Sequence, residues 1–316
     1  MKSIENHAET HSNASSNQEP TFLASLVIIA LCTSFGVNAV AIKISLTGMG
    51  TFTTAGLRFL IASLAITIWA LFTGQPIGVN RNQLRKLVLL AIIFTCQLGL
   101  FYLGLSLTYA SRGVLMTNLQ PFFVLILAHF FIPGDRITGR KIVGILLGFS
   151  GVFLLFLEKK GISADVRTGD LLVLVTVLLW AVNAIYTKKI ISNFRPFQIV
   201  LYPGMISVPF FLMAGYIWDD PMIGEPDLKV VLSLLYQSLV TASFGFVVWT
   251  SMLRKYGAVT LHSYIFILPV SGVFFGGVIL GEPVGTFKVL LALLLIVSGI
   301  IIVHSSFPFG RLKIEP

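Results

Sequence analysis

Ten apolar stretches, most of them near 20 residues long, constrain this chain more than any other feature. They run Thr21–Ile44, Phe52–Phe72, Leu87–Thr108, Gly113–Ile132 and Ile142–Leu157, then Asp170–Ile191, Gln198–Trp218, Leu228–Leu253, Ala258–Leu280 and Phe287–Phe307. A helix of ~20 residues rising ~1.5 Å each matches a hydrocarbon core about 30 Å thick. The runs are continuous rather than short alternations, which argues for helices and against a barrel of strands. Charged residues make up only 11% of the chain, where a soluble domain carries roughly 25%. A water-soluble fold is thereby excluded, and the chain reads as an all-α integral membrane protein with the lipid bilayer as its first partner.

The net charge of +9 would point to nucleic acid in a soluble chain, but here it reads as the basic connections of a polytopic membrane protein. Even-numbered connections and both tails hold fourteen Lys and Arg, against six in the odd-numbered connections. The positive-inside bias predicts cytoplasmic termini and a plasma (inner) membrane location. Residues 1–20 are polar, read as a disordered cytoplasmic tail, and lack the basic start and small-residue cleavage site of a signal peptide. Residues 308–316 form the other cytoplasmic tail. Cys32 and Cys96 both lie in apolar runs, so neither a disulfide framework nor a metal site is expected.

An internal repeat organises the spans. Val37-Asn38-Ala39 with Lys43 returns as Val182-Asn183-Ala184 with Lys188 at an offset of 145. Pro121 returns as Pro269 and Ser150-Gly151 as Ser298-Gly299 at 148, and Gly134-Asp135 returns as Gly281-Glu282 at 147. The chain therefore divides into five-helix halves at 21–157 and 170–307, joined by an extracytoplasmic connection at 158–169. Five is odd, so the second half is inverted relative to the first. Inverted repeats of this kind mark secondary transporters.

Several of these residues carry a resemblance. Trp249, Tyr256-Gly257-Ala258, Pro269, Gly281-Glu282-Pro283 and Ser298-Gly299 resemble the end of an EamA-type carrier of the drug/metabolite transporter superfamily. Tyr109-Ala110, Pro121, Gly134-Asp135, Gly144 and Ser150-Gly151 form a weaker copy, and Arg58 falls where such carriers have an arginine in span two. Gly134-Asp135 replaces the usual Gly-Glu, and Gln120 precedes the first proline. The resemblance implies ten helices around a central cavity and movement of small metabolites, commonly efflux of amino acids or related compounds.

Site residues are sought where polar chemistry enters the spans. Pro121 and Pro269 are expected to break their helices, freeing the carbonyls of Thr117 and Ile265. Interrupted helices at matching repeat positions mark a binding region. Gln97, Asn118, Gln120, Gln237 and His262 are large polar side chains that hydrocarbon would exclude. Trp180 and Tyr236 lie too deep for an interfacial belt, and Phe266 and Thr117 complete the faces around the prolines. Asn38 and Asn183 read as helix–helix glue. Lys43 and Arg58 lie in the outer third of spans one and two, where snorkelling to water is cheap and is the reading for Lys43; a carboxylate partner is the alternative for Arg58. Gly144/Gly148, Gly272/Gly276 and Gly277/Gly281 read as close-approach ridges.

There is no phosphate-loop motif, and no Asp or Glu lies deep in a span, with Asp170 and Glu282 at boundaries. These features favour a facilitator, exchanger or exporter of small polar metabolites, without cofactor or catalytic residues. A membrane-embedded enzyme would need converging acid and base groups. A sensor would need an extramembrane domain. Neither the cargo nor the oligomeric state is fixed by the residues.

Overall fold

A computed structural model describes residues 20–131, 139–157, 163–262 and 264–304. The expected tails at 1–20 and 308–316 lie outside these residues, apart from Pro20, as do Gly134-Asp135 and the start of the 158–169 connection. The described residues are helical throughout, apart from short connections and one isolated bridge between Met49 and Ile223. In order they form α1 (Phe22–Ser45), α2 (Thr51–Phe72), α3 (Arg81–Leu107), α4 (Ala110–Thr117), α5 (Gln120–Phe131), α6 (Gly139–Phe156) and α7 (Ala164–Ile190). There follow α8 (Pro196–Trp218), α9 (Leu228–Leu235), a π-helical segment (Tyr236–Gly245), α10 (Phe246–His262), α11 (Ile267–Leu280) and α12 (Phe287–His304).

Seven helical runs are long and apolar enough to cross a membrane, taking α4 with α5 and α9 with the π segment as single runs. Three shorter apolar helices, Lys141–Leu155, Ile267–Leu280 and Phe287–Val303, fall in the fifth, ninth and tenth expected stretches. Hydropathy underestimates several starts because local capping chemistry extends a helix past its apolar part. The Asn80 side chain accepts from Gln83 N while Gln83 reaches back to Asn80 N, so α3 begins six residues early, among Arg81, Arg85 and Lys86. Ser163 Oγ caps α7 in the same way, making 164–169 helical rather than a loop.

Both matched prolines differ from expectation. Pro121 is the second residue of α5 and Pro269 the third of α11. In a first turn the missing N–H has no intrahelical partner to lose, so proline costs little there. The interruptions lie just before them, at Asn118–Leu119 and at the turn through Tyr264–Phe266. The prolines that do stand inside a helix are Pro203 and Pro209 of α8, which the sequence reading passed over. The expected connection at Arg254–Gly257 is also absent as a break. No proline interrupts it, and α10 runs on to His262.

The closest pairings join the two repeats: α6 lies along α12, α3 along α7, α2 along α8 and α1 along α11. Glycines permit close approach at all four of these crossings. A Cβ on Gly144 would stand 2.7 Å from the Gly299 carbonyl oxygen, and one on Gly169 would stand 2.7 Å from that of Gly104. Gly148, Gly272 and Gly276 are also close-packed as expected, against Phe122, Val114 and Glu282 with Ser111. Gly281 is not a packing residue. It has open space around it and ends α11 at φ 65°, the left-handed conformation that glycine adopts without strain.

Candidate functional site

Three charged side chains are buried among the described residues: Arg58, Arg112 and Asp170. Two of them pair. Asp170 accepts from Arg112 Nε at 3.0 Å, from Arg112 NH2 at 2.5 Å and from Thr108 Oγ1 at 2.6 Å, while Arg112 NH2 also donates to the Leu155 carbonyl. Asp170 is thus no boundary residue; the early start of α7 carries it a turn and a half into the helix and buries it completely.

This pair belongs to a seal at one end of the bundle. The Asp219 carboxylate accepts from Thr53 N at 2.7 Å, Thr53 Oγ1 at 2.8 Å and Phe52 N at 3.3 Å, at the start of α2. The Glu282 carboxylate accepts from Ala110 N at 2.6 Å and Ser111 N at 2.8 Å, at the start of α4. A carboxylate at a helix N-terminus satisfies orphan donors and opposes the positive end of the helix dipole. All three acids come from the second repeat, and all their donors from the first. Lys43 joins the same end. Its Nζ donates to the carbonyls of Leu105 and Ser106 at the end of α3, so it docks on a helix C-terminus instead of reaching for water.

At the opposite end, uncharged hydrogen bonds join the repeats among the described residues: Gln83 Nε2 to Asn193 O, Gln198 Nε2 to Gly78 O and Tyr202 OH to Ile77 O. A cleft of about 520 Å³ lies beside them, lined by Pro76, Gln83, Asn193, Arg195 and Gln198 among others.

Running inward from the sealed end, where Ser45 is the last residue of α1, six polar side chains from four membrane helices meet. Arg58 donates through NH1 to Tyr102 OH at 3.1 Å and through NH2 to Thr241 Oγ1 at 3.2 Å. The Tyr102 hydroxyl donates to Gln237 Oε1 at 2.5 Å, and Gln237 Nε2 donates to Ser45 Oγ at 2.7 Å. Thr241 Oγ1 lies 2.8 Å from Asn38 Oδ1 and 2.7 Å from the Gln237 carbonyl. Asn38, Ser45, Arg58 and Tyr102 belong to the first repeat, and Gln237 and Thr241 to the second. Arg58 is eight residues into α2 and Gln237 ten into its run, or ~12–15 Å below the sealed end at ~1.5 Å per residue.

The π segment presents the second repeat's share. Its buried residues are Gln237, Ser238, Thr241, Ala242, Ser243 and Gly245, while Leu239, Val240 and Phe244 are exposed toward the lipid side. Wider π turns are uncommon and concentrate at functional sites. The Tyr236 hydroxyl donates to the Ser34 carbonyl on α1 beside it.

Of the residues expected from sequence, Gln237 belongs to this network and Tyr236 stands beside it, bonded to the Ser34 carbonyl. Gln97 is buried with Oε1 unpartnered, one turn before Phe101, against which Trp180 packs at 4.9 Å. Thr117 Oγ1 and Asn118 Nδ2 both donate to the Val114 carbonyl, closing the end of α4 rather than opening it. Gln120 and Pro121 follow at the start of α5, half-buried and buried. His262, Phe266 and Pro269 do not share one helical face, because a turn separates α10 from α11. Phe266 packs into the main core, Pro269 is buried, and the His262 side chain lies outside the described residues.

Sequence reasoning missed Tyr102, Thr241 and Ser45 and undervalued Asn38 and Arg58. Arg58 does not snorkel: it is 2% exposed. Its signal was present, as an arginine in an apolar run with no acid in the neighbouring turns. Asn38 and Ser45 are seven apart on α1, and Gln237 and Thr241 four apart, spacings that place each pair on one face.

Comparison with known proteins decides the family. The family model described as the EamA-like transporter family matches residues 22–157 and again 167–304. The chain belongs to this family. The double match is the two-repeat architecture, and α1 to α6 and α7 to α12 are its EamA-like units. Among similar proteins is an uncharacterized transporter, YoaV, of Bacillus subtilis strain 168, 25% identical over 92% of this chain and 98% of its own. A probable amino-acid metabolite efflux pump of Salmonella typhimurium strain LT2 is 28% identical over 89% of this chain and 93% of its own. One of the same name in Escherichia coli K12 is 26% identical, covering 82% and 86%. A solved crystal structure superposes with TM-score 0.67 at 15% identity, covering 88% of this EamA-like chain and 97% of that one, which speaks to fold alone.

Proposed function

We propose that this EamA-like chain is a secondary transporter that moves small polar metabolites of amino-acid size across the inner membrane by alternating access. Its ten apolar stretches act as spans in two inverted five-helix repeats, with both termini cytoplasmic. The observation that carries the reading is the buried network of Arg58, Tyr102, Asn38 and Ser45 with Gln237 and Thr241. A polar cluster assembled from both repeats at membrane depth is costly in hydrocarbon and is found where cargo or ions pass. The names of the Salmonella and Escherichia relatives favour amino acids and export.

In this orientation the acid-sealed end faces outward, and the conformation is closed on that side. Opening it requires Asp170, Asp219 and Glu282 to leave their partners together, a discrete change of the kind that alternating access demands. The cargo-facing set is proposed as Arg58, Tyr102, Tyr236, Gln237 and Thr241, with Gln97 and Trp180 on the adjoining face of α3 and α7. Thr117, Asn118, Gln120, Pro121, Phe266 and Pro269 shape the two interruptions, and His262 stands at the end of α10.

The test is counterflow with the purified full chain in sealed proteoliposomes loaded in turn with amino acids, amines and nucleobases. Labelled compound should accumulate only against its own unlabelled form. Turnover of a compound without its exchange across the bilayer would replace the carrier reading with an enzymatic one.

A further inference from the structure

Arg58 is anomalous within its own protein. Arg112, buried to the same degree, has Asp170, and the Asp219 and Glu282 carboxylates have helix N-termini. Lys43 has the carbonyls at the end of α3. Arg58 has only two neutral hydroxyls, the face of the Phe59 ring at 5.2 Å, and an Nε that finds no partner among the described residues. The protons of the network run outward from the guanidinium, through Tyr102 to Gln237 and on to Ser45, whose hydroxyl donates to the Ala41 carbonyl. The site therefore carries one whole positive charge and, among the described residues, no anion. An uncompensated charge at this depth is among the costliest things a membrane protein can hold, and such groups are retained for what they bind.

We propose that Arg58 is the anchor for a carboxylate carried by the cargo, an assignment that rests on the carrier reading above. A guanidinium offers a planar fork that matches a carboxylate with two parallel bonds. Nε already lacks an acceptor, and NH1 or NH2 becomes available by exchanging one neutral hydroxyl for a charged oxygen. A monoanion balances the single charge, whereas a phosphate dianion would need a second cation, and Arg58 is the one cation in the network. The exchange also acts on the repeats. The acceptor released, Tyr102 or Thr241, is itself bonded across the repeat boundary, Tyr102 to Gln237 and Thr241 to Asn38. Cargo on Arg58 thus loosens or redirects the bonds that tie α2 and α3 to the π segment.

The experiment uses the full chain in nanodiscs and in proteoliposomes. The probes are the twenty L-amino acids, their primary amides, the corresponding decarboxylated amines, short monocarboxylates and inorganic phosphate. Thermal shift reads binding, because a ligand held by the native state raises apparent stability, and counterflow reads transport. The expected result is that at least one carboxylate compound binds and exchanges while its amide and amine do not. Arg58→Gln should weaken that compound roughly 100-fold and abolish the preference for acid over amide. Arg58→Lys should bind less tightly yet keep the preference. Should Arg58→Gln fail to fold, the acid-against-amide comparison on wild type decides alone. Equal binding of acid and amide, binding of phosphate alone, or an acid preference that survives in Arg58→Gln would overturn the proposal. Exchange of carboxylate-free compounds only would overturn the anchor and leave the carrier reading standing. Exchange of nothing, on a panel widened to nucleobases and other polar metabolites, would remove both.

Discussion

Replacing Asp170 with Asn should be among the most damaging single changes at the acid-sealed end of this protein. The carboxylate is fully buried and receives Thr108 Oγ1 and two nitrogens of Arg112, itself 2% exposed. Asn keeps one acceptor oxygen for Thr108, but it turns an amide N–H₂ toward the guanidinium and takes away that cation's carboxylate. Removing one partner of a buried ion pair costs about 3–5 kcal/mol. Replacing both partners by apolar residues is often near neutral, so Arg112→Leu/Asp170→Leu should lie within about 2 kcal/mol of wild type, the residue being the bond that Arg112 gives the Leu155 carbonyl. The assay is unfolding in mixed micelles followed by tryptophan fluorescence for wild type, both single variants and the double. A coupling energy near zero, or a double variant as unstable as the sum of the singles, would refute the argument that burial makes this pair interdependent.

Other consequences follow from the packing. Glu282→Gln weakens the cap on α4, so a cysteine placed at buried Leu115 should react about tenfold faster with an impermeant thiol reagent added outside, equivalent to ~1.4 kcal/mol; an unchanged rate would mean that Glu282 does not hold the seal. Gly144→Ala must push α6 from α12, because its Cβ would meet the Gly299 carbonyl at 2.7 Å; melting should show a loss of about 1–3 kcal/mol, against no such loss for Gly285→Ala, where the space is open. Lys43→Gln should cost about 1–2 kcal/mol through its bonds to Leu105 and Ser106, whereas wild-type stability would restore the snorkelling reading. In a Cys96→Ser background, a cysteine at Ser163 should label in intact cells and one at Asn82 only after permeabilisation; the reverse would invert the topology.

Composition and run length made the helical fold legible, because hydrocarbon leaves an apolar chain few alternatives. The repeat offset made the family legible, since matching turns and glycines recur at fixed spacing. Helix starts were legible only in part. Asn80 and Ser163 extend α3 and α7 into polar sequence, where apolarity carries no signal. The site was read through its prolines, which do stand beside interruptions at matching places, but at helix starts rather than mid-helix. The polar network escaped because its members are far apart in sequence: Arg58, Tyr102 and Thr241 meet only once α2, α3 and the π segment pack together. Nothing in the local pattern around Tyr236–Gly245 announces a wider helix.

The dependence of the first repeat's groups on the second has a consequence for biosynthesis. A chain leaves the ribosome N-terminal end first, so α2 and α4 reach the bilayer before α7 to α12 have been made. In that interval Arg112 has no Asp170, Arg58 has no Thr241, and the starts of α2 and α4 lack the carboxylates of Asp219 and Glu282. An arginine near a helix centre disfavours insertion by about 2.5–3.5 kcal/mol, so α2, with Arg58 well inside it, enters as a marginal helix carried by the apolar residues around that arginine. A ribosome that stalls in the 158–169 connection would therefore release a half-molecule in which Arg112 lacks the Asp170 carboxylate and Arg58 lacks the Thr241 hydroxyl, a feature that membrane proteases and insertion chaperones can recognise. Completion of the first repeat is deferred until Glu282, just past α11, has left the ribosome.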